Sequence, residues 1–545
     1  MPLNPDHATL WQQAATQFES RQYTVAAASC QQLIALAPEK PMAYALLSRI
    51  CHQQGLTRPA MFNAFQASRR VAGAHWKDII AISAALLEVG ANVLAHSVLS
   101  FINPHDPANR DGLLGLGRQY SGLNDQPRAL YCIELAKANG CDSWFVSHMH
   151  GTVLSITGPL EHAIAACEDC VAKHPKHGHG HWSRAQFGLK DGAQNRVLRM
   201  RQVLTEPGLG NDDVTFLQYG LFKELDTLDQ RDDAWTALMA GAKVRRNVSD
   251  YNVERENAGF DALIDATPKS FTGQCGDAST DAMPIFIVGM PRTGTTLLER
   301  ILGNHPQIAT GGEINDFRQQ MQWVNNRRLP TDLDASIGDF VSRLDYTLLG
   351  RRYLEKTDWL RAGKPFYSDR HPLNFMYVGM ILKALPHAKI VHLRRHPMDA
   401  CFSTLKELFA KGAYSYSYAL DELANHYRNY VRLMQHWRNL WPGRILDVRY
   451  EDLVGHPEQQ ARCVQDYLGL PAAEGVTSTM ANTRIATTAS SLQLRQPIHT
   501  RYIAGWRRYQ HGLAPLQALL ADCIGDYEAG ATAIQPKPLR VPVHM

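Results

Sequence analysis

PIFIVGMPRTGTTLLERILGNH, residues 284–305, carries the strongest structural signal in this 545-residue chain. A short apolar run comes first, a loop bracketed by Gly289 and Gly294 follows, and the amphipathic pattern LLERILGNH begins at Leu297. A strand, a glycine-bearing loop and a helix in this order turn backbone N–H groups and the positive end of the helix toward an anion. The stretch therefore predicts a phosphate-binding loop.

The loop differs from that of a nucleoside triphosphatase in the position of its positive charge. There a Lys follows the second glycine and reaches the β- and γ-phosphates, but here Thr295 takes that place and Arg292 carries the charge. A magnesium-ATP enzyme also needs an apolar strand that ends in Asp. The next buried strand pattern, KIVHL at 389–393, ends in Arg394 and Arg395. The pattern disfavours a kinase with a deviant loop, and we predict no metal site.

Arg395 and Ser403 form a second predicted anion site. Ser403 lies eight residues after Arg395, near the start of the helical pattern CFSTLKELFAKG. An arginine at a strand end and a hydroxyl one or two helical turns later can hold a phosphate together. Two anion sites without a metal ligand suit a nucleotide that carries a 3′-phosphate and a 5′-phosphosulfate, and they suit ATP poorly.

These motifs resemble those of the sulfotransferases that use 3′-phosphoadenosine 5′-phosphosulfate (PAPS). PIFIVGMPRTGTTLLERILGNHPQIATGGE resembles their 5′-phosphosulfate loop, and KIVHLRRHPMDACFSTL resembles their 3′-phosphate motif. The resemblance extends over about residues 284–510 and is greatest to the branch of protein-tyrosine sulfotransferases and bacterial relatives with tetratricopeptide repeats. It implies PAPS as the cosubstrate and no metal requirement.

The resemblance also implies roles for individual residues. Glu313, which follows the turn HPQIATGG, matches the general base of the tyrosylprotein branch, and Tyr450 matches an aromatic position near the 3′-phosphate and the adenosine. Arg292 would also stabilise the transition state. The residues implied to hold the 5′-phosphosulfate are Arg292, Thr293, Gly294, Thr295 and Thr296, and those implied to hold the 3′-phosphate are Arg395 and Ser403.

Two positions depart from the pattern of that family. Arg370 stands where a Lys is usual, and exchanging a compact ammonium for a planar fork alters the geometry of leaving-group stabilisation. Ser490 is nearest to the position that helps to hold the sulfuryl group, and Gly505 replaces a basic residue. The candidates to replace that charge are Arg501, Arg507 and Arg508. Two histidines, His371 and His392, are alternatives to Glu313 as the base, but their positions beside a proline and in a strand are more typical of structural residues.

The first half of the chain reads as helices with a regular spacing. Glycines at 55, 90, 122, 158 and 192 are separated by 35, 32, 36 and 34 residues, and helical patterns rich in small residues follow them. This period is similar to that of the tetratricopeptide repeat. We predict an all-α tetratricopeptide-like solenoid at 1–265, a linker at 266–283, and an α/β P-loop-type sulfotransferase domain with a mostly parallel sheet, a C-terminal helix and a tail at 284–545.

Composition limits the possible partners and the compartment. The formal charge of +4 is too small for a protein that wraps nucleic acid. The absence of a signal-peptide pattern or a long apolar run predicts a cytoplasmic protein with no membrane span. Ten scattered cysteines fit reduced thiols.

The predicted reaction is transfer of a sulfuryl group from PAPS to an acceptor hydroxyl by in-line displacement, with Glu313 as the base. The predicted acceptor is a protein or peptide tyrosine held by the repeat groove, and the alternative for the repeats is that they only brace the catalytic domain or form a dimer contact. A glycan, a lipid or a small-molecule hydroxyl stays open, as do a magnesium-ATP-dependent kinase and a scaffold without catalytic activity.

Overall fold

The computed structural model describes residues 5–273, 282–330, 332–410, 412–478 and 497–530. Helices fill the first half, and a five-stranded sheet appears only in the second half of these residues. The order of an all-α region and an α/β region confirms the predicted fold class. The described part of the chain contains no helix that is both long enough and apolar enough to cross a membrane.

The chain divides into two compact units. The first consists of residues 1–174 together with Arg318–Leu329, and the second consists of 175–317 and 330–545. The first unit contains helices α1 (Pro5–Glu19), α2 (Tyr23–Leu36), α3 (Pro41–Gln53), α4 (Thr57–Ser68), α5 (Trp76–Glu88), α6 (Asn92–Leu99), α7 (Leu113–Gly122), α8 (Gln126–Ala138), α9 (Trp144–Thr157) and α10 (Leu160–Lys173).

The helices of the first unit pack as successive pairs with repeated contacts. Ser48 Oγ on α3 donates to the backbone oxygen of Ala60 on α4 (2.7 Å), and Ser83 Oγ on α5 donates to that of Ala95 on α6 (3.1 Å). Each residue of the second bond lies 35 positions after its counterpart in the first. The period read from the glycines is therefore also the period of the helix pairs.

The glycine positions themselves are not equivalent. Gly55 and Gly90 follow α3 and α5 with φ of +79° and +76°, the left-handed conformation that ends a helix. Gly122 is the last residue of α7, and Asn124 takes the left-handed conformation there instead (φ +61°). Asn tolerates this conformation better than most residues, so the turn forms without a glycine at the expected place.

Residues Arg318–Leu329 pack within the first unit, although they follow the first strands of the sheet in sequence. The Arg58 guanidinium donates to the backbone oxygen of Trp323 (2.9 Å) and lies 4.8 Å from the centre of its ring. Thr57 Oγ1 donates to the backbone oxygen of Gln322 (2.8 Å). This segment therefore covers the turn between α3 and α4.

The second unit begins with further helices and continues with the sheet. Its first helices are α11 (Gly178–Ala185), α12 (Ala193–Leu204), α13 (Asn211–Thr227), α14 (Arg231–Asn247) and α15 (Val253–Asp265). Its strands are β1 (Met283–Val288), β2 (Ile308–Thr310), β3 (Phe366–Asp369), β4 (Lys389–Arg394) and β5 (Ile445–Arg449). The helices from β1 onward are α16 (Thr295–Gly303), α17 (Asp316–Asn325), α18 (Ser336–Ser342), α19 (Tyr346–Thr357), α20 (Val378–Ala384), α21 (Pro397–Leu405), α22 (Leu420–Leu440), α23 (Tyr450–Gly455), α24 (Pro457–Leu468), α25 (Gln510–Leu519) and α26 (Ala521–Glu528). From Arg318 onward, helix α17 belongs to the first unit.

All pairings in the sheet are parallel, and the strand order is β2-β3-β1-β4-β5. Strand β1 lies in the middle with five of its six residues buried, so its branched side chains contact the core on both faces. Strands β2 and β3 lie on one side of β1, and β4 and β5 lie on the other side. A crevice at the carboxyl ends of β1 and β4 is the place where such sheets bind ligands.

Helices α13 to α15 pack against the sheet-bearing part of the same unit. Tyr219 Oη donates to the backbone oxygen of Leu405 (3.1 Å), and Arg246 makes a two-pronged ion pair with Glu422 (2.6 and 2.7 Å). The unit boundary at His174 thus lies before the end of the helical region. The domain limits of 265 and 283 stay a prediction.

Candidate active site

The loop after β1 needs glycine at both ends because other parts of the chain approach it closely. A Cβ on Gly289 would lie 2.5 Å from the backbone oxygen of Leu393 on β4. A Cβ on Gly294 would lie 2.6 Å from Cδ2 of Tyr450, and Gly294 also has a φ of +103°. The two glycines therefore let β4 and the Tyr450 ring close against the loop.

The side chains of the loop have different surroundings. Thr293 Oγ1 donates to the backbone oxygen of Met290 (2.8 Å), which closes the loop on itself. Arg292 has a φ of +67°, unusual for a residue with a side chain, and its Nη2 lies 3.8 Å from the Glu407 carboxylate. Thr293 and Thr295 are buried, and neither lines the adjoining cavity, whereas Thr296 does.

An open cavity lies beside the loop, with about 890 Å³ of empty space that includes open solvent. Two predicted anion sites meet here: the loop contributes Arg292, Gly294 and Thr296, and Arg395 and Ser403 come from β4 and α21. The other lining residues are Leu297, Asp399, Phe402, Lys406, Tyr450, Val454, Pro497, Ile498, His499, Tyr502 and Gly505.

Arg395 joins three parts of the cavity wall. Its Nη1 donates to the backbone oxygen of Arg292 (3.1 Å), and its Nη2 donates to that of Tyr502 (2.7 Å). The guanidinium lies 4.5 Å from the centre of the Tyr450 ring. None of these partners carries a negative charge, and Nε has no hydrogen-bond partner among the described residues. Arg395 therefore keeps its positive charge for an anion in the cavity.

Glu313 and Arg370 form a separate cluster at the carboxyl ends of β2 and β3. Arg370 Nη1 donates to Glu313 Oε1 (2.5 Å), and Nε donates to Glu299 Oε2 (2.7 Å). Glu299 Oε1 accepts from Gly312 N (2.9 Å) and from Ser368 Oγ (2.6 Å). Glu299 thus fixes α16, β3 and the Glu313 loop relative to one another. Arg370 is buried, whereas the Glu313 side chain is 41% exposed.

Tyr414 lies near this cluster. Burial first, and then the Glu313 carboxylate, raise the pKa of the Tyr414 phenol. The phenol therefore stays protonated at neutral pH and can donate a hydrogen bond. The Phe409 ring packs against it at 4.7 Å between ring centres.

His392, one of the two alternative bases, belongs to a buried network. Its Nδ1 lies 2.6 Å from Asp447 Oδ1, and its Nε2 lies 2.5 Å from Tyr430 Oη. Burial lowers the pKa of His392 to about 4. The imidazole is therefore neutral at neutral pH and fixed between two partners, as the strand context predicts. The other candidate, His371, precedes the turn of 3₁₀-helix Pro372–Tyr377.

The cavity contains a further cation, but it is none of the three arginines predicted to replace the charge at Gly505. Gly505 lines the cavity, but Arg501, Arg507 and Arg508 do not. Arg508 pairs instead with Asp226 and Asp229 (both 3.0 Å). The cavity gains its further cation from Lys406, which sequence reasoning missed although it lies three residues after Ser403, one helical turn away.

Two other residues of structural importance were also missed. Asp399 accepts from the backbone N–H groups of Ala504 (2.7 Å) and Trp506 (3.1 Å) and so holds the C-terminal wall of the cavity. Glu299 is the one acidic residue of α16, and this single carboxylate was the sequence signal that could have indicated its role in binding Arg370. Ser490 lies outside the described residues.

Comparison with known proteins agrees with the two anion motifs. Residues 284–474 match the profile described as "Sulfotransferase family". An uncharacterised protein of Aquifex aeolicus is 27% identical over 380 residues, which cover 68% of this chain and 49% of that protein. Protein-tyrosine sulfotransferase 1 of Danio rerio is 26% identical over 199 residues, covering 35% and 54% respectively. Omega-hydroxy-beta-dihydromenaquinone-9 sulfotransferase of Mycobacterium bovis is 30% identical over 243 residues, covering 34% and 63%.

The chain spans between 49% and 63% of the length of these three relatives. The matched segment contains the loop of Arg292, the Arg395 and Ser403 pair, and the Glu313 and Arg370 cluster. Residues 284–474 are therefore similar to the sulfotransferase family over the segment that carries both anion motifs.

Proposed function

We propose that this protein transfers a sulfuryl group from PAPS to an acceptor hydroxyl. The observation that carries the proposal is that the loop of Arg292 and the Arg395 and Ser403 pair line one cavity. A nucleotide with anionic groups on both its 3′ and 5′ positions can engage both sites at once. A nucleoside triphosphate carries its charge on one side only and would leave the second site empty.

Each part of the nucleotide has a matching part of the cavity wall. Arg395 and Ser403 hold the 3′-phosphate, and the Tyr450 ring lies beside Arg395 at the adenosine side. The 5′-phosphosulfate is bound by the loop, where Arg292 and Thr296 face the cavity and the start of α16 adds backbone N–H groups. Thr293 and Thr295 support the loop from inside.

The reaction is a displacement at sulfur. The acceptor oxygen forms a bond to sulfur, the bond from sulfur to the bridging oxygen of the 5′-phosphate breaks, and adenosine 3′,5′-bisphosphate leaves. Glu313 accepts the acceptor proton, and its exposed side chain supports access by a large acceptor. Preorganised cations stabilise the charge that spreads over the transferring group, as in phosphoryl transfer.

Arg370 has two candidate duties. Its bond to Glu313 orients the base, and its charge is available in principle to the leaving group. Since Nε and Nη1 already bond to carboxylates, we assign orientation of Glu313 as the main role. Leaving-group stabilisation then falls mainly on Arg292, the cation of the phosphosulfate loop.

We propose a tyrosine of a protein or peptide as the acceptor. The support is the likeness to the Danio rerio protein-tyrosine sulfotransferase, whose name states that acceptor. The relative from Mycobacterium bovis acts on a hydroxyl of a menaquinone, so a lipid hydroxyl is the alternative to test. We also propose a cytoplasmic location, because ten scattered cysteines without a regular framework suit reduced thiols.

Calorimetry tests the proposal directly. Purified protein is titrated with adenosine 3′,5′-bisphosphate in EDTA and, separately, with ATP and magnesium. Metal-independent binding of the bisphosphate is the expected result. Preference for magnesium-ATP would establish a kinase instead, and binding of neither would favour a scaffold that acts through its repeats.

Transfer assays then identify the acceptor class. Radiolabelled PAPS is supplied with a tyrosine peptide, with the same peptide carrying phenylalanine, and with a lipid alcohol in detergent. Label is expected in the tyrosine peptide alone. Label in the lipid alcohol and not in the peptide would overturn the proposed acceptor while leaving sulfuryl transfer in place.

A further inference from the structure

Lys406 is a cation of the cavity that has no assigned role. It directly follows α21, one helical turn after Ser403, and it lines the same cavity as Arg292 and Arg395. No hydrogen bond or ion pair connects its ammonium to any described residue, and its nearest ring contact is with Phe402, 5.0 Å from Nζ to the ring centre. Lys406 is half-buried, and an ammonium withdrawn from water without a carboxylate partner is costly.

The electrostatic surroundings of Lys406 are mainly positive. Lys223 from α13, Arg395 after β4 and Arg292 from the loop all repel its charge. Asp226 of α13 attracts it, but this carboxylate already accepts from Tyr509 Oη (2.6 Å) and pairs with Arg508. Burial, followed by this repulsion, lowers the pKa of Lys406 to about 7. The ammonium is thus only half populated at neutral pH in the empty cavity.

An anion in the cavity favours the charged form of Lys406 over the neutral form. The 3′-phosphate and the 5′-phosphate place negative charge among Arg292, Arg395 and Lys406, so the protonated form of Lys406 becomes the favoured one. The energy for the change comes from the same attraction that binds the nucleotide. Lys406 would then act where Gly505 offers no side chain.

We propose that Lys406 is a nucleotide-binding residue that takes up a proton from solution when the phosphate groups of the nucleotide enter the cavity. This inference rests on the proposed function, because it assumes that adenosine 3′,5′-bisphosphate or PAPS is the ligand. It adds to that function a cation outside both anion motifs and a dependence of nucleotide affinity on pH. The helix α13 takes part through Lys223, which keeps the ammonium weakly populated before binding.

The sign of the pH dependence follows from the two states of the lysine. The free protein holds fewer protons at Lys406 than the complex, so the affinity falls as the pH rises above 7. We expect a loss of about tenfold per pH unit between pH 7.5 and 9, and uptake of about 0.9 proton at pH 8.

Two other titratable groups that face the cavity, His499 and Tyr450, do not change charge in this pH range, and Asp399 on the same wall accepts from the backbone N–H groups of Ala504 and Trp506. Burial lowers the pKa of His499, which is already neutral, and burial raises the pKa of the Tyr450 phenol, which stays protonated. The second ionisation of a phosphate monoester has a pKa of about 6 and is complete.

The test is calorimetric titration of the full-length protein with adenosine 3′,5′-bisphosphate at pH 8, in two buffers with different ionisation enthalpies. The wild type is expected to take up about 0.9 proton. Lys406→Met is expected to take up none and to bind with an affinity that does not change from pH 7.5 to 9. Lys406→Arg retains a permanent charge, so it should bind without proton uptake and more tightly than Lys406→Met.

Lys243→Met is the matched control, because Lys243 is an exposed lysine on α14. It should take up the same number of protons as the wild type. Binding of the bisphosphate by the wild type without proton uptake, or equal uptake by Lys406→Met, would overturn the role of Lys406 alone. Failure of the wild type to bind the bisphosphate would instead overturn the proposed function and this role with it. Should Lys406→Met not fold, as judged by circular dichroism, Lys406→Arg still decides the question through its lack of uptake.

Discussion

The arginine of the cavity and the arginine after β3 are held in opposite ways. Arg395 donates to two backbone oxygens and lies against an aromatic ring, so no carboxylate offsets its charge. Arg370 donates to the carboxylates of Glu299 and Glu313. Both side chains are buried, with relative exposures of 8% for Arg395 and 3% for Arg370. Burial of an arginine therefore does not mark an anion site, but the charge of its partners does.

The largest effect that distinguishes the Arg370 cluster from the cavity of Arg395 is expected for Glu313→Gln. Glutamine keeps an oxygen that accepts from Arg370 but cannot accept the acceptor proton. Because general base catalysis contributes about 10²- to 10⁴-fold, kcat should fall by that factor. The affinity for adenosine 3′,5′-bisphosphate should stay within about twofold, since Glu313 does not line the cavity. Steady-state kinetics and calorimetry on the same preparation measure both, and an unchanged kcat would remove Glu313 as the base.

The next effect comes from Arg395→Ala. Hydrogen bonds to charged groups contribute about 1.5–3 kcal/mol, so the bisphosphate should bind roughly 10- to 100-fold more weakly. Arg394→Ala is the adjacent control, because Arg394 does not line the cavity and its guanidinium lies 5.2 Å from the Tyr527 ring centre. Calorimetry should find near wild-type affinity for this control. Equal losses in both variants would contradict the assignment of the 3′-phosphate site to Arg395.

The local structure around Arg292 could be predicted from the sequence, whereas contacts between distant segments could not. The strand, loop and helix around Arg292 follow from local pattern: β1 lies within one residue of the expected place, and α16 begins and ends two residues earlier than expected. The pairing of Gly294 with Tyr450 joins positions 156 residues apart, and no local rule predicts it. The resemblance implies only that Tyr450 lies near the nucleotide, and the close approach of its ring gives the physical reason for the glycine at 294.

Partners of charged residues were the least predictable part. Arg370 was expected to act on the leaving group, yet its two carboxylate partners come from α16 and from the loop after β2. Likewise, Arg318–Leu329 pack in the first unit although they are embedded in sequence typical of the second. Both outcomes depend on tertiary contacts between distant segments, and these leave no periodic signal in the chain.

Glu299→Gln tests how the second region is held. The variant removes one of the two negative charges beside the buried Arg370 while retaining the shape of the side chain. Leaving a buried charge partly uncompensated should lower the free energy of unfolding of the second unit by about 1–3 kcal/mol. With an unfolding entropy of roughly 2.1 cal/mol/K per residue in a unit of about 360 residues, each kcal/mol shifts the thermal midpoint by about 1.3 °C, so the midpoint should fall by about 1–4 °C.

Differential scanning calorimetry resolves this change, and Glu254→Gln serves as the control because Glu254 is exposed on α15. The control should unfold within about 1 °C of the wild type, since exposed substitutions change stability by only about 0.5 kcal/mol. An unchanged midpoint in Glu299→Gln would mean that Glu299 does not compensate the charge of Arg370.

The smallest effect is expected for Tyr450→Phe. If Tyr450 serves the first region through the face of its ring, then phenylalanine preserves the contact with Arg395 and the space that Gly294 leaves for the ring. Bisphosphate affinity should then change by less than about twofold, whereas Tyr450→Ala should weaken binding about 2- to 30-fold through loss of a cation–π contact of about 0.5–2 kcal/mol. A large loss in the phenylalanine variant would show that the hydroxyl group itself binds the nucleotide. The difference between Arg395 and Arg370 would then lie in the backbone oxygens that Arg395 contacts, and no longer in its contact with the Tyr450 ring.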